Sequence, residues 1–519
     1  MAQIIICAGI SVVPYIRPVG PFQLANVLRK EGYTVQVIDQ YPWIAHLGAD
    51  TVIKLFDKFV GPETLWIGFS STWFRKISTL LPGPDDHLPG GVLKNEADLL
   101  ANTMLFSNEE LIRIKQSVLN KNPKVKFVLG GARSTLARGG QCRPFIDYSI
   151  EGYADSAVVK FSLWCEGAIP RPRMMLNTGG ESSSLNDDIK AANFDYKNFE
   201  FRWADEDLVN PGETLPMEIA RGCIFNCAFC SYPLNGRKKM DYLKSPDVLR
   251  RQFIDNYERF GTTNYFFLDD TFNDSVEKLQ ILHDEVFAKL PFKVSFGAFM
   301  RLDLINAHRE TIPLLRDMGL TGAFLGVESL NYESNKSIGK GISGEKIVEI
   351  LTILKREWPN AILDGQFIMG LPHDSEESIR AWLDLLLTED FPLDAAKIEP
   401  LHLDKRKATN SLWTSQFELN PEKYGYTFEE DNSFAWTNNM NFSLKDAIRV
   451  KREYGRRWKV KEKPAWVGDY GLMNIGVSPD VLEARRSTEY ADRGATAGTS
   501  DFETRINFVK LYVNRLLEI

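Results

Sequence analysis

Three cysteines within eight residues carry the clearest chemical signal in the sequence. Cys223, Cys227 and Cys230 have the spacing C-x3-C-x2-C. Because thiolates are the usual ligands of iron–sulfur clusters, three of them on one tight loop can hold three irons of a [4Fe–4S] cluster and leave the fourth open to a small molecule. Structural zinc is the main alternative, but it needs four ligands, and the next histidine along the chain is His283. A third interpretation, three incidental core cysteines, is disfavoured by their position in a loop after a predicted strand.

These cysteines fall in the second of two β–α series. Residues 1–165 alternate short apolar strands with helices, which predicts a parallel sheet in a Rossmann-like domain. Residues 213–405 predict six further β–α units, a partial barrel short of the eight units of a closed one, with a first strand at 218–220. Residues 166–212 lack periodicity and are interpreted as a linker. Residues 406–519 are predicted to form a mostly helical C-terminal substrate or cap domain.

Composition excludes several classes of protein. Of the 519 residues, 44% are hydrophobic and 25% charged, which is ordinary for a globular chain, and six cysteines are too few for a disulfide scaffold. A net charge of −7 argues against a polyanion as the main partner, so nucleic acid is not expected. The basic stretch 445–463 is interpreted as a solvated helix face. No apolar run reaches the roughly 18 residues that span a bilayer, and the N-terminus resembles a buried strand, so a cytoplasmic protein is expected.

The cysteine spacing, at the end of the first strand of a partial barrel, resembles that of the radical S-adenosylmethionine (SAM) superfamily. Phe229, directly before the last cysteine, matches an aromatic position of that family, and the resemblance covers about 213–400. It implies that the open iron binds the amine and carboxylate of SAM. It further implies that one electron, supplied by an external donor of the flavodoxin or ferredoxin type, cleaves SAM to a 5′-deoxyadenosyl radical that abstracts a substrate hydrogen.

The same resemblance implies roles for polar residues at the predicted strand ends. They are Asp269, Asp270 and Thr271 near the SAM amine, Arg301 as partner of the SAM carboxylate, Glu328 beside SAM, and Gln366 and Gly370 at the adenosyl part. For each residue the structural alternative is a helix cap or a loop salt bridge, and this alternative is strongest for Asp269.

The order of Rossmann-like domain, linker and cysteine-bearing barrel resembles the cobalamin-binding subgroup of that superfamily. The implied cobalamin contacts follow three predicted strands and are Ser70, Ser71, Thr72, Gly130, Gly131, Glu151 and Gly152. Glycines let a nucleotide tail approach the backbone, and hydroxyls can hydrogen-bond to it. No D-x-H-x-x-G motif follows the first strand, so the resemblance implies cobalamin without a histidine ligand; a degenerate domain without the cofactor is the alternative.

The other cysteines limit the number of clusters. Cys7, Cys142 and Cys165 do not fit the second-cluster pattern of methylthiotransferases, and no cysteine follows Cys230. One cluster is therefore expected, and the three remaining cysteines are interpreted as small core residues.

The leading hypothesis is a cobalamin-dependent radical SAM methyltransferase that acts on an unactivated carbon. One SAM would methylate cobalamin, and another would generate the radical, so that the substrate radical takes its methyl group from methylcobalamin. The first alternative is a radical rearrangement, cyclisation or epimerisation with cobalamin passive or absent. The second is a non-catalytic iron–sulfur or zinc protein. The substrate is expected to be a small molecule or a peptide, and the sequence leaves its class open.

Overall fold

The computed structural model describes residues 1–10, 16–74, 76–77, 95–137, 142, 145–172, 176–177, 194–232, 234, 236, 240, 242–407, 413–455 and 499–519. Two six-stranded sheets, with helices between successive strands, dominate this part of the chain and confirm the predicted α/β class. In the described residues, no helix is both long enough and apolar enough to cross a membrane.

The first sheet has the Rossmann-like arrangement that the N-terminal β–α alternation predicts. Its strands are β1 Ile4–Cys7, β2 Val35–Ile38, β3 Trp66–Ser70, β4 Lys126–Gly130, β5 Tyr148–Ser149 and β6 Leu176–Asn177. They lie in the order β2-β1-β3-β4-β5-β6, with β6 antiparallel to β5 and the others parallel. The chain reverses direction across the sheet between β1 and β3. Ligands of such sheets bind in the crevice at the carboxyl ends of the strands at this point.

The second sheet has the six parallel strands expected of the partial barrel. They are β7 Leu215–Met217, β8 Asn264–Phe267, β9 Ser295–Arg301, β10 Leu320–Glu328, β11 Ile362–Met369 and β12 Ala395–Pro400. Their spatial order follows the chain. Tyr265, Phe266 and Phe267 of β8 are fully buried, as expected for a parallel strand covered on both faces. In such folds the chemistry lies at the carboxyl ends of the strands.

Helices connect these strands, and serine caps begin several of them. In chain order the helices are α1 Val19–Lys30, α2 Tyr41–His46, α3 Ala49–Phe59, α4 Glu96–Met104, α5 Asn108–Lys121, α6 Asp155–Cys165, α7 Pro246–Phe260, α8 Val276–Ile281, α9 Leu302–Ala307, α10 Thr311–Asp317, α11 Tyr332–Ser337, α12 Gly344–Glu357, α13 Glu376–Leu386, α14 Gln416–Leu419, α15 Leu444–Gly455 and α16 Thr499–Glu518. Ser107, Ser343 and Ser375 each accept a hydrogen bond from a first-turn amide. These bonds satisfy donors that a helix start otherwise leaves free.

The first strand of the second sheet lies three residues earlier than predicted, at Leu215–Met217 rather than at 218–220. The amides of Ile219 and Ala220 donate to the buried carboxylate of Asp269, at 2.9 and 3.0 Å, instead of to a neighbouring strand. This carboxylate therefore ends the strand and begins the cysteine loop.

The segment predicted as a linker contacts the first domain, and the segment predicted as the C-terminal domain divides between the two sheets. In the predicted linker, Asp207 is buried and pairs with Arg29 of α1 at 2.8 Å. Helix α16 packs on the first sheet through residues that include Tyr512 and Leu516. The hairpin β13 Thr427–Glu429 and β14 Asn432–Thr437 belongs instead to the core of the second sheet through Trp436. Residues 178–193 of the predicted linker and 456–463 of the basic stretch lie outside the described residues.

Candidate active site between the two sheets

A cavity of about 440 Å³ lies where the carboxyl ends of the two sheets face each other. Gly9 and Ile10 follow β1, and Thr72 follows β3 and Ser70, so the first sheet contributes both loops that flank its point of reversal. The second sheet contributes the ends of β9 to β11 and the loops after β7 and β8. One cavity therefore joins the two predicted cofactor regions.

All three predicted cluster cysteines line this cavity. Gly222, directly before Cys223, has a φ of +98°, which a side chain would strain, so glycine permits the turn into the loop. The Cys223 thiol donates to Thr271 Oγ1 at 3.4 Å, and burial raises the pKa of this thiol. The Cys230 amide donates to the Cys227 carbonyl at 3.0 Å and closes the loop.

The three thiols are not arranged around a single metal ion. In the part of the chain that the structure describes, no group of three or more His, Cys, Asp or Glu side chains could hold one ion. Zinc needs its ligands around one centre, whereas the cysteines of a cluster bind separate irons. Three thiols that face one cavity fit the second arrangement.

Arg301, at the end of β9, is turned towards the cysteine loop. Its Nη1 donates to Cys227 Sγ at 3.0 Å, and its Nε and Nη2 donate to the Asp303 carboxylate at 3.1 and 2.6 Å. The guanidinium lies 4.1 Å from the centre of the Phe225 ring. Asn273 fixes its backbone with two hydrogen bonds, at 2.9 and 3.0 Å. Burial lowers the pKa of Arg301, but the Asp303 carboxylate outweighs burial, and the pKa rises.

The two adjacent aspartates after β8 have different surroundings, although both line the cavity. Asp269 is buried, and besides two backbone amides its carboxylate accepts a hydrogen bond from Lys278 Nζ at 2.9 Å. Asp270 is half-buried. Burial, together with the nearby carboxylates of Asp269 and Glu218, raises the pKa of Asp270 to about 7. Asp269 thus has the structural role of a buried salt-bridge residue, whereas Asp270 presents its carboxyl group to the cavity.

Glu328 lines the cavity together with Lys340, a residue that the sequence did not single out as functional. Lys340 Nζ donates to Glu328 Oε1 at 2.8 Å and to the Gly326 carbonyl at 2.7 Å, in a nearly fully buried pair. A side chain at Gly326 would come within 2.8 Å of both groups. The flanking Gly339 and Gly341 have φ values of +82° and +57°. The sequence offered one signal for Lys340, a lysine between two glycines shortly after the predicted end of the strand.

The two residues predicted at β11 lie in different surroundings. Gln366 lines the cavity, and its Nε2 donates to Asp364 Oδ1 at 2.9 Å. Gly370 is not among the lining residues: its φ is +100°, and the space where a side chain would lie holds the Trp436 ring. The Asp374 carboxylate accepts from the Gly370 amide at 3.1 Å and turns the chain away after β11.

Aromatic rings form much of the remaining wall. Phe229, the predicted aromatic before the last cysteine, lines the cavity together with Phe225, Tyr232, Phe299 and Phe324. Rings of this kind exclude water and leave few competing hydrogen-bond partners. Electrostatic interactions in such surroundings are stronger than in solvent.

The loops after β3 and β4 are joined by hydroxyl–backbone bonds. Ser71 Oγ donates to the Gly130 carbonyl at 2.6 Å, and Thr72 Oγ1 accepts from the Ala132 amide at 3.2 Å. Gly131 has a φ of +87°, and an added Cβ would lie 2.5 Å from Thr72 Oγ1. The two loops therefore approach so closely that only glycine fits between them. Of the residues predicted here, Ser70 and Thr72 line the cavity, whereas Ser71, Gly130 and Gly131 support them from behind.

The loop after β5 carries the last predicted cobalamin contacts. Glu151 is buried, and Gly152 has a φ of +83°; neither is among the residues lining the cavity. The buried Oγ of Ser149, directly before this loop, has no hydrogen-bond partner among the described residues. Burying a hydroxyl without a partner is costly, but Ser149, like Glu151 and Gly152, is not among the residues lining the cavity.

Arg221 joins the cysteine loop to the first domain. It forms a two-pronged ion pair with Glu218 at 2.9 and 3.0 Å and donates to Asp155 Oδ2 of α6 at 2.8 Å. Its guanidinium lies 5.2 Å from the ring centre of Tyr153 and 4.5 Å from that of Tyr196. Sequence reasoning missed this contact, because nothing in a local pattern pairs an arginine with a residue 66 positions earlier.

Comparison with known proteins confirms the resemblance over the second sheet. Residues 217–386 match the radical SAM superfamily. An uncharacterised methyltransferase of Pyrococcus horikoshii is 28% identical over 163 residues, which cover 31% of this chain and 34% of that protein. The chain thus matches about a third of that relative's length.

Two solved structures share the fold over the whole chain. The radical SAM methyltransferase TsrM of Kitasatospora setae, solved with cobalamin and a [4Fe–4S] cluster, has a TM-score of 0.54 at 12% identity and covers 100% of this chain and 99% of its own. The cobalamin-dependent SAM radical enzyme OxsB, solved with aqua-cobalamin and SAM, has a TM-score of 0.52 at 14% identity and covers 100% of this chain and 80% of its own. Residues 217–386 therefore match the radical SAM superfamily, and the chain shares its fold with two solved structures of radical SAM enzymes.

Proposed function

We propose that the protein is a cobalamin-dependent radical SAM methyltransferase that methylates an unactivated carbon of a small molecule or a peptide. One observation carries this proposal: a single cavity is lined both by the three cysteines and by the loops at the reversal point of the first sheet. Methyl transfer that depends on two cofactors needs both within reach of one substrate.

The second sheet supplies residues that fit a cluster and SAM. Cys223, Cys227 and Cys230 would hold three irons and leave the fourth for SAM. Asp270 and Glu328, both facing the cavity, would hold the amine and hydroxyl groups of SAM, since carboxylates accept such donors.

The first sheet supplies a shape that fits cobalamin. Ser70 and Thr72 face the cavity, and Gly131 behind them lets the loop after β4 pack closely against Thr72. Gly9 and Ile10 would lie against cobalamin from the loop after β1.

When bound, these groups supply one-electron and methyl-transfer chemistry that no protein side chain provides. The side chains of this chain bind, orient and exclude water. The aromatic wall keeps solvent from the reacting atoms. Arg221, through Asp155, holds the cysteine loop against the first domain and so fixes the distance between the two cofactor regions. Electrons would come from an external one-electron donor of the flavodoxin or ferredoxin type.

The test is anaerobic reconstitution of the full chain with iron, sulfide, SAM, hydroxocobalamin and a strong reductant. About four irons per chain, formation of 5′-deoxyadenosine and formation of S-adenosylhomocysteine are expected. A chain that binds four irons and forms 5′-deoxyadenosine but no S-adenosylhomocysteine would reject methyl transfer in favour of the radical rearrangement, cyclisation or epimerisation. A chain that binds one zinc and leaves SAM intact would reject the enzyme class as a whole.

A further inference from the structure

The contacts of Arg301 with the described residues leave a single N–H group of its guanidinium for a ligand. Of its five N–H groups, two bind Asp303, one reaches Cys227 Sγ at 3.0 Å and one reaches the Gly339 carbonyl at 3.4 Å. A carboxylate bound bidentately along the edge of a guanidinium needs two parallel N–H groups. This arrangement does not favour the expected role of Arg301 as partner of the SAM carboxylate.

The same contacts hold Arg301 rigidly against the cysteine loop. Its side chain is 8% exposed, Asn273 fixes its backbone from both sides, and Phe225 stacks on the guanidinium. Asp303 anchors the opposite edge of the fork. A side chain held by four neighbours cannot swing away, so the position of its charge beside Cys227 is a fixed feature of the fold.

We propose that Arg301, oriented by Asp303, is a positioning residue that raises the reduction potential of the cluster through its hydrogen bond to Cys227 Sγ. The inference rests on the proposed radical SAM function. Reduction adds one electron from the external donor to the cluster and thus one negative charge, with no bond formed or broken in the protein. A positive charge and a donor N–H at a ligating sulfur stabilise the more negative, reduced state.

Asp303 makes the pair testable in both directions. Its negative charge partly cancels that of Arg301, so loss of the arginine and loss of the aspartate have opposite electrostatic effects. A hydrogen bond from a charged donor is stronger than one between neutral groups. We therefore expect a change of about tenfold in the ratio of reduced to oxidised cluster at a fixed potential, which corresponds to about 59 mV for a one-electron couple.

The experiment is a potentiometric titration of the reconstituted full chain, followed by the electron paramagnetic resonance signal of the reduced cluster. Arg301→Gln is expected to shift the midpoint to a more negative potential and Asp303→Asn to a less negative one. Arg301→Lys keeps the charge but cannot span Asp303 and Cys227 together, so its midpoint is expected to lie between those of the wild type and Arg301→Gln. Arg316→Gln, which removes an exposed arginine paired with Asp317, is the matched control and leaves the midpoint unchanged.

The outcomes separate this inference from the proposed function. A four-iron cluster with the same midpoint in the wild type, Arg301→Gln and Asp303→Asn overturns the inference and leaves the proposed function standing. Shifts of the same sign in the two variants also overturn it, because they indicate loosened packing rather than charge. If Arg301→Gln does not assemble a cluster, Asp303→Asn alone decides. A wild-type chain that assembles no cluster overturns both proposals.

Discussion

The two sheets meet at one cavity, but their strand ends are built from different chemistry. The second sheet presents paired charges, Arg301 with Asp303 and Lys340 with Glu328. The first sheet presents hydroxyls bonded to backbone, such as Ser71 to Gly130, and a glycine with no room for a side chain. Under the proposed function, the second edge would bind a charged group, whereas the first edge would depend on the close packing of its loops. Each edge should therefore fail under a different kind of change: the second under loss of a thiol or a charge, the first under added bulk.

Loss of a thiol from the second edge should have the largest effect. Cys227→Ala leaves two thiolates, which hold a cluster poorly, so iron content falls and 5′-deoxyadenosine formation drops to background. Iron analysis and chromatography of the nucleoside measure both. Cys165→Ala, which removes a half-buried thiol at the end of α6, is the control and keeps wild-type values. A Cys227→Ala protein that retained four irons and cleaved SAM would remove the cysteine loop from the comparison.

Loss of a charge from the same edge should strongly destabilise the folded protein. Lys340→Met leaves Glu328 buried without its partner, and breaking a buried pair in this way costs about 3–5 kcal/mol. Urea unfolding measures the loss, and adding Glu328→Gln to the same chain should restore part of it. Lys346→Met breaks an exposed pair with Glu349 and should change the free energy of unfolding by less than about 1 kcal/mol. Equal losses from the two lysine variants would contradict a charge-based second edge.

Added bulk on the first edge should act on a different ligand. Gly131→Ala places a Cβ 2.5 Å from Thr72 Oγ1 and pushes apart the loops after β3 and β4. A distortion of about 1.4–2.8 kcal/mol would lower the affinity for hydroxocobalamin about ten- to hundredfold, as measured by absorbance titration. Gly167→Ala is the matched control: its φ of +78° carries the same backbone strain, but an added Cβ there meets nothing within 4 Å.

The effect of Gly131→Ala should be confined to the affinity for cobalamin. Gly131→Ala should leave iron content and SAM cleavage intact, because its clash lies in the first sheet alone. If Gly131→Ala and Gly167→Ala lost cobalamin affinity equally, backbone strain rather than close approach would be the cause, and the first edge would not differ from an ordinary loop.

Much of this fold could be predicted from sequence because its signals are local. Short apolar runs between helical patterns predicted both parallel sheets, and the three cysteines proposed as cluster ligands, which line one cavity, could be singled out without any knowledge of distant contacts. The first strand of the second sheet was misplaced because the carboxylate that ends it, Asp269, lies about 50 residues further along the chain.

The missing parts of the site are those that depend on distant partners. The contact of Arg301 with Cys227 could not be predicted, because it joins residues 74 positions apart. Lys340 was not singled out from the sequence, since nothing in its own segment indicates a contact with Glu328. A motif shows which side chains reach a strand end, but the three-dimensional structure is needed to show which of their hydrogen bonds are already used.

Asp270 is a second-edge carboxylate with no charge partner among the described residues as close as that of Asp269, and it should make the stability depend on pH. Burial and the carboxylates around it raise its pKa to about 7 in the folded protein, against about 3.9 in an unfolded chain. Between these two values the folded state binds more protons than the unfolded state, so the free energy of unfolding falls as pH rises. An asparagine side chain cannot ionise, so Asp270→Asn should raise the melting temperature relative to the wild type by more at pH 8 than at pH 5. Asp431→Asn, on the exposed turn between β13 and β14, should show no such dependence on pH. A melting-temperature difference for Asp270→Asn that is equal at both pH values would mean that the carboxyl group is as well solvated as Asp431, and that charge at the second edge is tolerated without a partner.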